Sequence, residues 1–404
     1  MKACKTIFFA ALLSAAFSLA AAPSFRGAIG GCATGDLTVP LNKEKTWGTI
    51  PLAGFAAAQA NLAEWAILRG EIAAFASDVS ESDIFSDNQA KIRINELSFV
   101  LQRRAFTATN YFSLFLGAYE PIGSDAFLMR HFGIEGIASQ LTKSYTSLCG
   151  SPVRSTKGTG ISYIVNFDKA PIATGAYFFF NKNKEGNWAM NLDARFALSS
   201  NYATLDFSIG VGAPIQDRYN NNDVVLVIDT ISLHGGVDFL LGSKYSHSLF
   251  FQAGVEDITV KGKGAGVLDG DEVKLLIEPR INFNTFKFSL TAYSLDKKSV
   301  EEFVYLNDPI GAGVTFYKDD IEGKRGDITL GIHAFASLSQ IKLTDFLEGK
   351  NIGSAAYSAY LTPYAIFPLS ATASMETMAQ VGVKDIAGDR ALKFKIGVGA
   401  KKTF

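Results

Sequence analysis

Charged residues recur at alternate positions within apolar stretches of this chain. In the segment NWAMNLDARFAL, Asp193 and Arg195 alternate with Leu192, Ala194 and Phe196. Successive side chains of a strand point to opposite faces, so this segment would have one charged face and one apolar face. Charges gathered on one side of a sheet can act on ions and solutes as fixed charges that line a pore.

The same alternation in other segments defines a set of candidate pore-lining residues. They are Asp193, Arg195, Asp206, Asp238, Lys274, Glu278, Arg280, Lys393 and Lys395. Both signs of charge occur, so we expect only a weak ion preference. The alternative is that neighbouring strands pair these charges merely to satisfy them. In both cases the residues should face water, because a charge at the midplane of a lipid-facing surface costs about 2–4 kcal/mol.

Motifs of catalysis and metal binding are absent from the sequence. The four histidines, His131, His234, His247 and His333, are scattered, with no HExxH motif and no closely paired cysteines. The glycine-rich segment 262–273 lacks the GK[ST] ending of a phosphate-binding loop, and no GxSxG elbow occurs. We therefore expect no enzyme activity, no metal and no cofactor. A hydrolase with its residues spread over distant strands would leave no such motif.

The first residues predict export from the cytoplasm. Lys2 and Lys5 precede a short apolar run, and small residues follow before Pro23, so residues 1–22 are interpreted as a signal peptide. Cys32 and Cys149 would remain in an oxidising compartment and form a candidate disulfide, which the sequence neither requires nor excludes. With a net charge of −1, the chain has no excess of basic residues that would indicate nucleic-acid binding.

Dyad alternation extends over residues 65–404 in segments of about ten residues separated by turns, a pattern typical of a transmembrane β-barrel. No segment after residue 22 is apolar for long enough to predict a membrane-spanning helix.

Residues 23–64 contain apolar positions at helical spacing, including Leu52, Phe55 and Ala56. We expect a short N-terminal plug or periplasmic segment there, or a disordered lead with one helix.

The predicted links between strands alternate in length. Short links are expected at one end of the barrel and longer ones at the other, as in barrels with short periplasmic turns and long outer loops. Fifteen links joining residues 65–404 predict about 16 strands, within a range of 14–18. The fold class is therefore all-β, a closed antiparallel transmembrane barrel.

The chain ends in LKFKIGVGAKKTF, an alternating segment that closes on phenylalanine. This segment resembles the C-terminal signal of outer-membrane barrels of Gram-negative bacteria, and the match lies at Ile396, Val398, Ala400 and Phe404. Lys402 departs from the pattern, since the family usually has an aromatic or apolar residue there. The resemblance implies recognition by the barrel-assembly machinery. It extends as a pattern over residues 65–404, to porins in particular.

The longest predicted link, residues 120–157, exceeds the usual length of a structureless loop and is therefore expected to be functional or disordered. Residues 110–144 resemble the strand and following loop of some porin-like barrels. In porins such a loop can fold inward and narrow the pore; the alternative is an external cap or a surface-binding loop. The tripeptide Arg325, Gly326 and Asp327 is predicted to lie in a periplasmic turn, where it would not contact a host receptor.

The sequence favours an outer-membrane, porin-like channel for passive diffusion of small hydrophilic solutes, in contact with outer-membrane lipid. The alternatives are a plugged barrel that transports hydrophobic substrates, with residues 23–64 as its hatch, and a surface adhesin or structural barrel that acts through its outer loops. A soluble periplasmic β protein is the fourth possibility.

Overall fold

The computed structural model describes most of the chain. The described residues are 24–42, 45–80, 90–134, 136–149, 157–182, 186, 188–217, 224–225, 230–261, 273–283, 285–339, 341, 343–350, 355–386 and 388–404. The predicted signal peptide, residues 1–22, and the glycine-rich segment 262–272 lie outside the described residues.

Eighteen long strands form the wall of the described structure. They are β1 (Ser24–Pro40), β2 (Leu52–Ala63), β3 (Ala66–Ala76), β4 (Ala90–Ala105), β5 (Ala108–Ala118), β6 (Lys157–Phe167), β7 (Ile172–Lys182), β8 (Trp188–Ser199), β9 (Ala203–Pro214), β10 (Ile231–Gly242), β11 (Ser248–Lys261), β12 (Val273–Phe283), β13 (Phe286–Ser294), β14 (Ile310–Ile321), β15 (Ile328–Ser339), β16 (Ala356–Ser370), β17 (Ala373–Lys384) and β18 (Ala391–Thr403). Short strand segments also lie at Trp47–Thr49, Gln216–Asp217 and Val224–Val225.

Three short helices and a 3-10 turn lie in the links. The helices are α1 (Ala126–Phe132), α2 (Lys297–Glu301) and α3 (Leu343–Leu347), and the 3-10 turn is Gln140–Thr142. Among the described residues, no helix is both long enough and apolar enough to cross a membrane.

The strands pair antiparallel with their neighbours in chain order, and the sheet closes on itself. Closure is made by β1, which pairs with β2 on one side and with β18 on the other, from Ala28 opposite Thr403 to Pro40 opposite Ala391. A closed sheet leaves no unpaired edge, which is what lets strands lie in lipid. The predicted all-β, closed antiparallel barrel is confirmed, and its eighteen strands lie at the upper end of the predicted range.

The wall is polar inside and apolar outside. In β8, Asp193 and Arg195 are 2% and 4% exposed, whereas Leu192, on the opposite face, is 55% exposed. The same inversion holds in β9, where Asp206 is buried and Ile209 is exposed. Burying charges while exposing large apolar side chains is unfavourable in water and favourable when the outer surface faces hydrocarbon.

The expectation of a plug or periplasmic segment at residues 23–64 is wrong where the structure describes them, because β1 and β2 belong to the wall. The positions at helical spacing are divided between the two faces of β2: Phe55 is 5% exposed and faces inward, whereas Leu52 is 40% exposed and faces outward. Many glycine and alanine residues in both strands weaken the contrast between the faces, and this hid the alternation. The two added strands account for the difference between about 16 and eighteen.

Both ends of the described chain lie at the end of the barrel with mostly short links. Those links are 64–65, 106–107, 168–171, 200–202, 243–247, 284–285, 322–327 and 371–372. The opposite end carries the links 41–51, 77–89, 119–156, 183–187, 215–230, 262–272, 295–309, 340–355 and 385–390. The tripeptide Arg325 to Asp327 lies in a link at the short-turn end; that this end is periplasmic stays a prediction.

Candidate functional site

The longest link, residues 119–156 (the long loop), enters the barrel. Its residues Tyr119, Phe127 and Leu128 are fully buried. The loop is held by distant parts of the wall: the Ser139 hydroxyl donates to Glu278 of β12 over 2.5 Å, and the Tyr364 hydroxyl of β16 donates to Gln140 of the loop over 3.0 Å. The described part of the loop therefore crosses the lumen, as in the inward-folding alternative, and is not an external cap.

Residues 295–309 (the second loop) also fold into the lumen, which the sequence did not predict. The two loops meet through an isolated β-bridge between Ser144 and Phe303, next to a backbone hydrogen bond from the Val304 N–H to the Lys143 carbonyl, 3.1 Å long. We call the two loops together the septum. Because the loops bond to each other as well as to the wall, the septum is a continuous partition across part of the lumen.

Glu376 of β17 holds both loops at one point. Its buried carboxylate pairs with the Lys143 ammonium and accepts a hydrogen bond from the Tyr145 hydroxyl, 3.2 Å away, both from the long loop. The same carboxylate accepts a hydrogen bond from Tyr305 of the second loop. A buried carboxylate is stable when it is paired and hydrogen-bonded, so Glu376 fixes the relative position of the two loops.

One glycine of the terminal strand makes room for the long loop. Gly399 faces inward, and a Cβ added there would lie 2.4 Å from the Tyr145 ring. The polar face of the terminal segment thus has glycine where the loop packs against it. Lys401, two residues further on the same face, donates to the Leu148 carbonyl of the loop over 3.0 Å.

The septum is also tied to a second part of the wall, at β4. Arg93 of β4 makes two bonds to Glu302 of the second loop, at 2.5 and 2.8 Å, and one to Thr146 of the long loop, at 3.1 Å. Thr146 itself donates to Glu302 over 2.8 Å. These contacts lie beside a cavity, so the septum is held by polar groups that water can reach.

Cavities lie on both sides of the septum. At the end of the barrel with the longer links (the long-link side), two cavities have volumes of about 790 Å³ and about 400 Å³. They share Glu302 and Phe303 as lining residues. On the short-turn side is a cavity of about 330 Å³, lined by Arg280, Tyr317 and Asp319 among others. The cavity on the short-turn side (the inner cavity) shares no lining residue with the two on the long-link side (the outer cavities).

All nine predicted pore-lining residues point into the barrel, and most are paired. Arg195 makes two bonds to Asp206, at 2.8 and 2.5 Å, and a third to the Glu120 carbonyl of the long loop. Asp193 contacts the ring of His234 at 2.6 Å. These are pairs between wall strands, as in the alternative that the charges mainly satisfy each other.

The remaining predicted charges contact the loops or each other. Lys274 pairs with Asp296 of the second loop at 2.9 Å, and the Nζ of Lys395 donates to the Val304 carbonyl over 3.1 Å. Lys393 likewise donates to the Asn307 side chain of that loop over 2.8 Å.

The Glu278 carboxylate accepts a hydrogen bond from the Ser139 hydroxyl of the long loop and another from the Arg280 Nε–H, which is 2.7 Å long. Asp238 differs from the other eight, because no ion pair and no well-directed hydrogen bond holds its carboxylate.

The sequence interpretation missed the residues that hold the septum, chiefly Glu376, Gln380 and Arg93. Glu376 and Gln380 share the inward parity of β17, and Gln380 donates to the Tyr305 carbonyl over 3.2 Å. Glu376 and Gln380 alternate with Thr377, Ala379 and Val381, but residues 376–381 contain a single charged residue and show no strong contrast between the two faces of the strand. The contacts that Glu376, Gln380 and Arg93 make depend on where the two loops lie, and alternation in the sequence does not predict loop positions.

The residues predicted as an assembly signal lie on the outer face of β18 and just beyond it. Ile396, Val398, Ala400 and Phe404 are exposed there. The backbone of Phe404 exchanges two hydrogen bonds with Gly27, at 2.8 and 2.9 Å, and its ring stacks on Phe25 with centroids 5.9 Å apart. The last residue therefore takes part in closing the barrel. Its recognition by assembly machinery stays a prediction.

The candidate disulfide is absent from the structure, in which Cys32 and Cys149 are both free. Cys32 lies on β1 beside the larger outer cavity, whereas the Sγ of Cys149 contacts the Met129 sulfur at 3.9 Å within the long loop. Burial raises the pKa of the Cys149 thiol to about 12, which disfavours the reactive thiolate. Within the described residues, no group of three or more metal-ligating side chains could hold a metal ion.

Comparison with known proteins agrees on the fold. No family model and no curated protein matches the chain. Among solved structures, the chain resembles the outer membrane protein OpdK from Pseudomonas aeruginosa, with 8% identity, a TM-score of 0.51, and coverage of 94% of this chain and 99% of that one. A second structure of OpdK (OccK1) and one with vanillate both match at 6% identity with TM-scores of 0.51 and the same coverage. At such identities the likeness shows the fold alone: this chain is built as the same kind of closed barrel as OpdK.

Proposed function

We propose that this protein is an outer-membrane channel for the passive diffusion of small hydrophilic solutes. One observation carries the proposal: a polar lumen with cavities on both sides of a septum lies inside a wall whose outer face is apolar. The resemblance of the fold to OpdK, an outer membrane protein, supports the same location for this chain. We place the termini and short turns on the periplasmic side and the long links outside, as in barrels of this class.

The septum sets the size of the solute. A solute would enter the outer cavities, pass the septum and leave through the inner cavity, which is the smallest of the three at about 330 Å³. Since the described charges of the lumen are mostly paired with one another or with the loops, the field along this path should be weak. We therefore propose a narrow channel with little preference between cations and anions and no catalytic role.

Two structural features argue against the alternatives. A hydrophobic-substrate transporter with residues 23–64 as its hatch has no support, because β1 and β2 are wall strands. A surface adhesin would not need two loops bonded across the lumen at Glu376.

A swelling assay with proteoliposomes tests the proposal. Vesicles that contain the purified protein are diluted into isotonic arabinose, sucrose or raffinose, and light scattering follows solute entry. We expect swelling that falls steeply as the sugar becomes larger. Swelling that does not exceed that of protein-free vesicles for any sugar would contradict the proposal.

A further inference from the structure

We propose that Asp125 of the long loop and Asp238 of the wall share one proton, and that this proton couples the seating of the long loop to pH. The site is distinct from the pairs that fix the septum at Glu376. It depends on the position of the loop in the lumen and not on which solute the barrel conducts.

The wall contributes an unsatisfied carboxylate. Asp238 of β10 lies directly opposite Asp206 of β9 and Gln252 of β11 in the strand register, and all three face inward. Asp206 is neutralised by Arg195 through two hydrogen bonds. Asp238 is 0% exposed, and it has no bonded cation and no well-directed hydrogen bond; its one donor is the neighbouring Gln252 amide, through a weak contact. The Gln252 amide also donates to the Gly123 carbonyl of the long loop, 3.3 Å away.

The long loop brings a second carboxyl group to the same place. Its residues 122–125 lie over β10 and β11: a Cβ added at Gly236 of β10 would be 3.1 Å from Ile122, and Gly123 bonds to Gln252. Asp125 is buried; its Oδ2 accepts from the Ala138 N–H over 3.0 Å, whereas its Oδ1 accepts no hydrogen bond.

Among the described residues, no cation is bonded to either carboxyl group, and the charge of Arg280 only partly opposes the rise in the pKa of Asp125. Of the cations from neighbouring strands, Arg195 of β8 is bound to Asp206, and Arg280 of β12 is bound to Glu278 and lies over the Phe250 ring at 4.4 Å. Two buried carboxylates without a bonded counter-ion cannot both stay ionised at low cost, and such pairs retain a proton that belongs to both.

The retained proton has a defined effect on the loop. Burial, opposed in part by the Ala138 and Ile137 N–H groups and supported by the nearby charge of Asp206, raises the pKa of Asp125 to about 6. In an undocked loop the pKa of Asp125 would return to about 3.9. The docked state therefore binds more protons, so acid favours docking. Docking should weaken as pH rises from about 4 to about 6 and change little above that, by about a hundredfold in equilibrium constant.

Two readouts test the proposal in the full chain. The first is infrared spectroscopy of the detergent-solubilised protein, which detects the C=O stretch of a protonated carboxyl at pH 5. We expect such a band in the difference spectrum of the parent protein minus D125N/D238N, which removes the signal of ordinary carboxyls that are partly protonated at this pH. The matched control is D308N, because Asp308 is a buried carboxyl of the second loop that has a partner, the Ser337 hydroxyl at 2.5 Å. A difference spectrum without that band, or one no larger than the difference between the parent protein and D308N, would overturn the proposal.

The second readout follows the loop itself. A nitroxide attached at S147C, with Cys32 and Cys149 replaced by serine, reports loop mobility by electron paramagnetic resonance. We expect the mobility of the labelled loop to increase from pH 4 to pH 6 in the parent background and to stay low and constant in D125N/D238N. If the double variant does not fold, D238N alone replaces it. A mobility that responds to added Na⁺, K⁺ or Ca²⁺ and not to pH would mean that the pair holds a cation, and would overturn the shared proton.

Discussion

At the scale of single residues, the lumen of this barrel is governed by buried charges and their partners. Arg195 and Asp206 form a two-bond pair within the wall, and Glu376 joins one ammonium and two hydroxyl groups from the septum. Alternation in the sequence identified Arg195 and Asp206, because it assigns a face to each residue. It missed Glu376, whose role follows from the position of two loops that alternation does not describe.

Removing one partner of the Arg195–Asp206 pair should strongly lower the free energy of unfolding. In R195M the buried Asp206 carboxylate loses its partner, and we expect a loss of about 3–5 kcal/mol in the free energy of unfolding. Denaturant unfolding in detergent measures this loss. The matched control is K318M, since the Lys318–Asp320 pair is exposed and should contribute about 0–1 kcal/mol. Equal effects of the two substitutions would contradict the assignment of Arg195 to a buried site.

At the scale of elements, strands and loops differ in how far the sequence predicts them. Strands from β3 onward were predicted because charged and large apolar residues mark their two faces. The strands β1 and β2 were missed because glycine and alanine mark neither face. The inward position of the second loop had no local signal, since its anchors are Arg93, Glu376 and Gln380, which lie far from it in sequence.

The contact between the two loops can be tested by cross-linking. Directly opposed residues of an antiparallel bridge lie about 4.5–5.5 Å apart, a spacing that accepts a disulfide. In S144C/F303C, with Cys32 and Cys149 replaced by serine, we expect oxidation to give a cross-link, seen as a mobility shift of the unfolded chain that reductant reverses. The control S147C/F303C places one thiol away from the bridge. Equal yields from the two variants would argue against a fixed septum.

At the scale of the whole molecule, the inverted distribution of polar and apolar side chains requires a hydrocarbon environment. Leu192, near the middle of β8, is 55% exposed on the outer face. We expect L192K to lower the free energy of unfolding in lipid by about 2–4 kcal/mol if it lies near the midplane, and Y202K, in a short turn at the rim, by about 0–1 kcal/mol. A soluble barrel would tolerate both substitutions equally.

Conductance in a planar bilayer tests the central claim most directly: that the septum restricts an open aqueous path. We predict stable ohmic steps that scale with salt concentration for the parent protein. Larger steps are predicted for E376Q, because loss of the carboxylate charge weakens the contacts to Lys143, Tyr145 and Tyr305. E322Q, in a short turn outside the lumen, should match the parent protein. A folded, membrane-inserted protein that carries no current, as parent and as E376Q alike, would contradict the account.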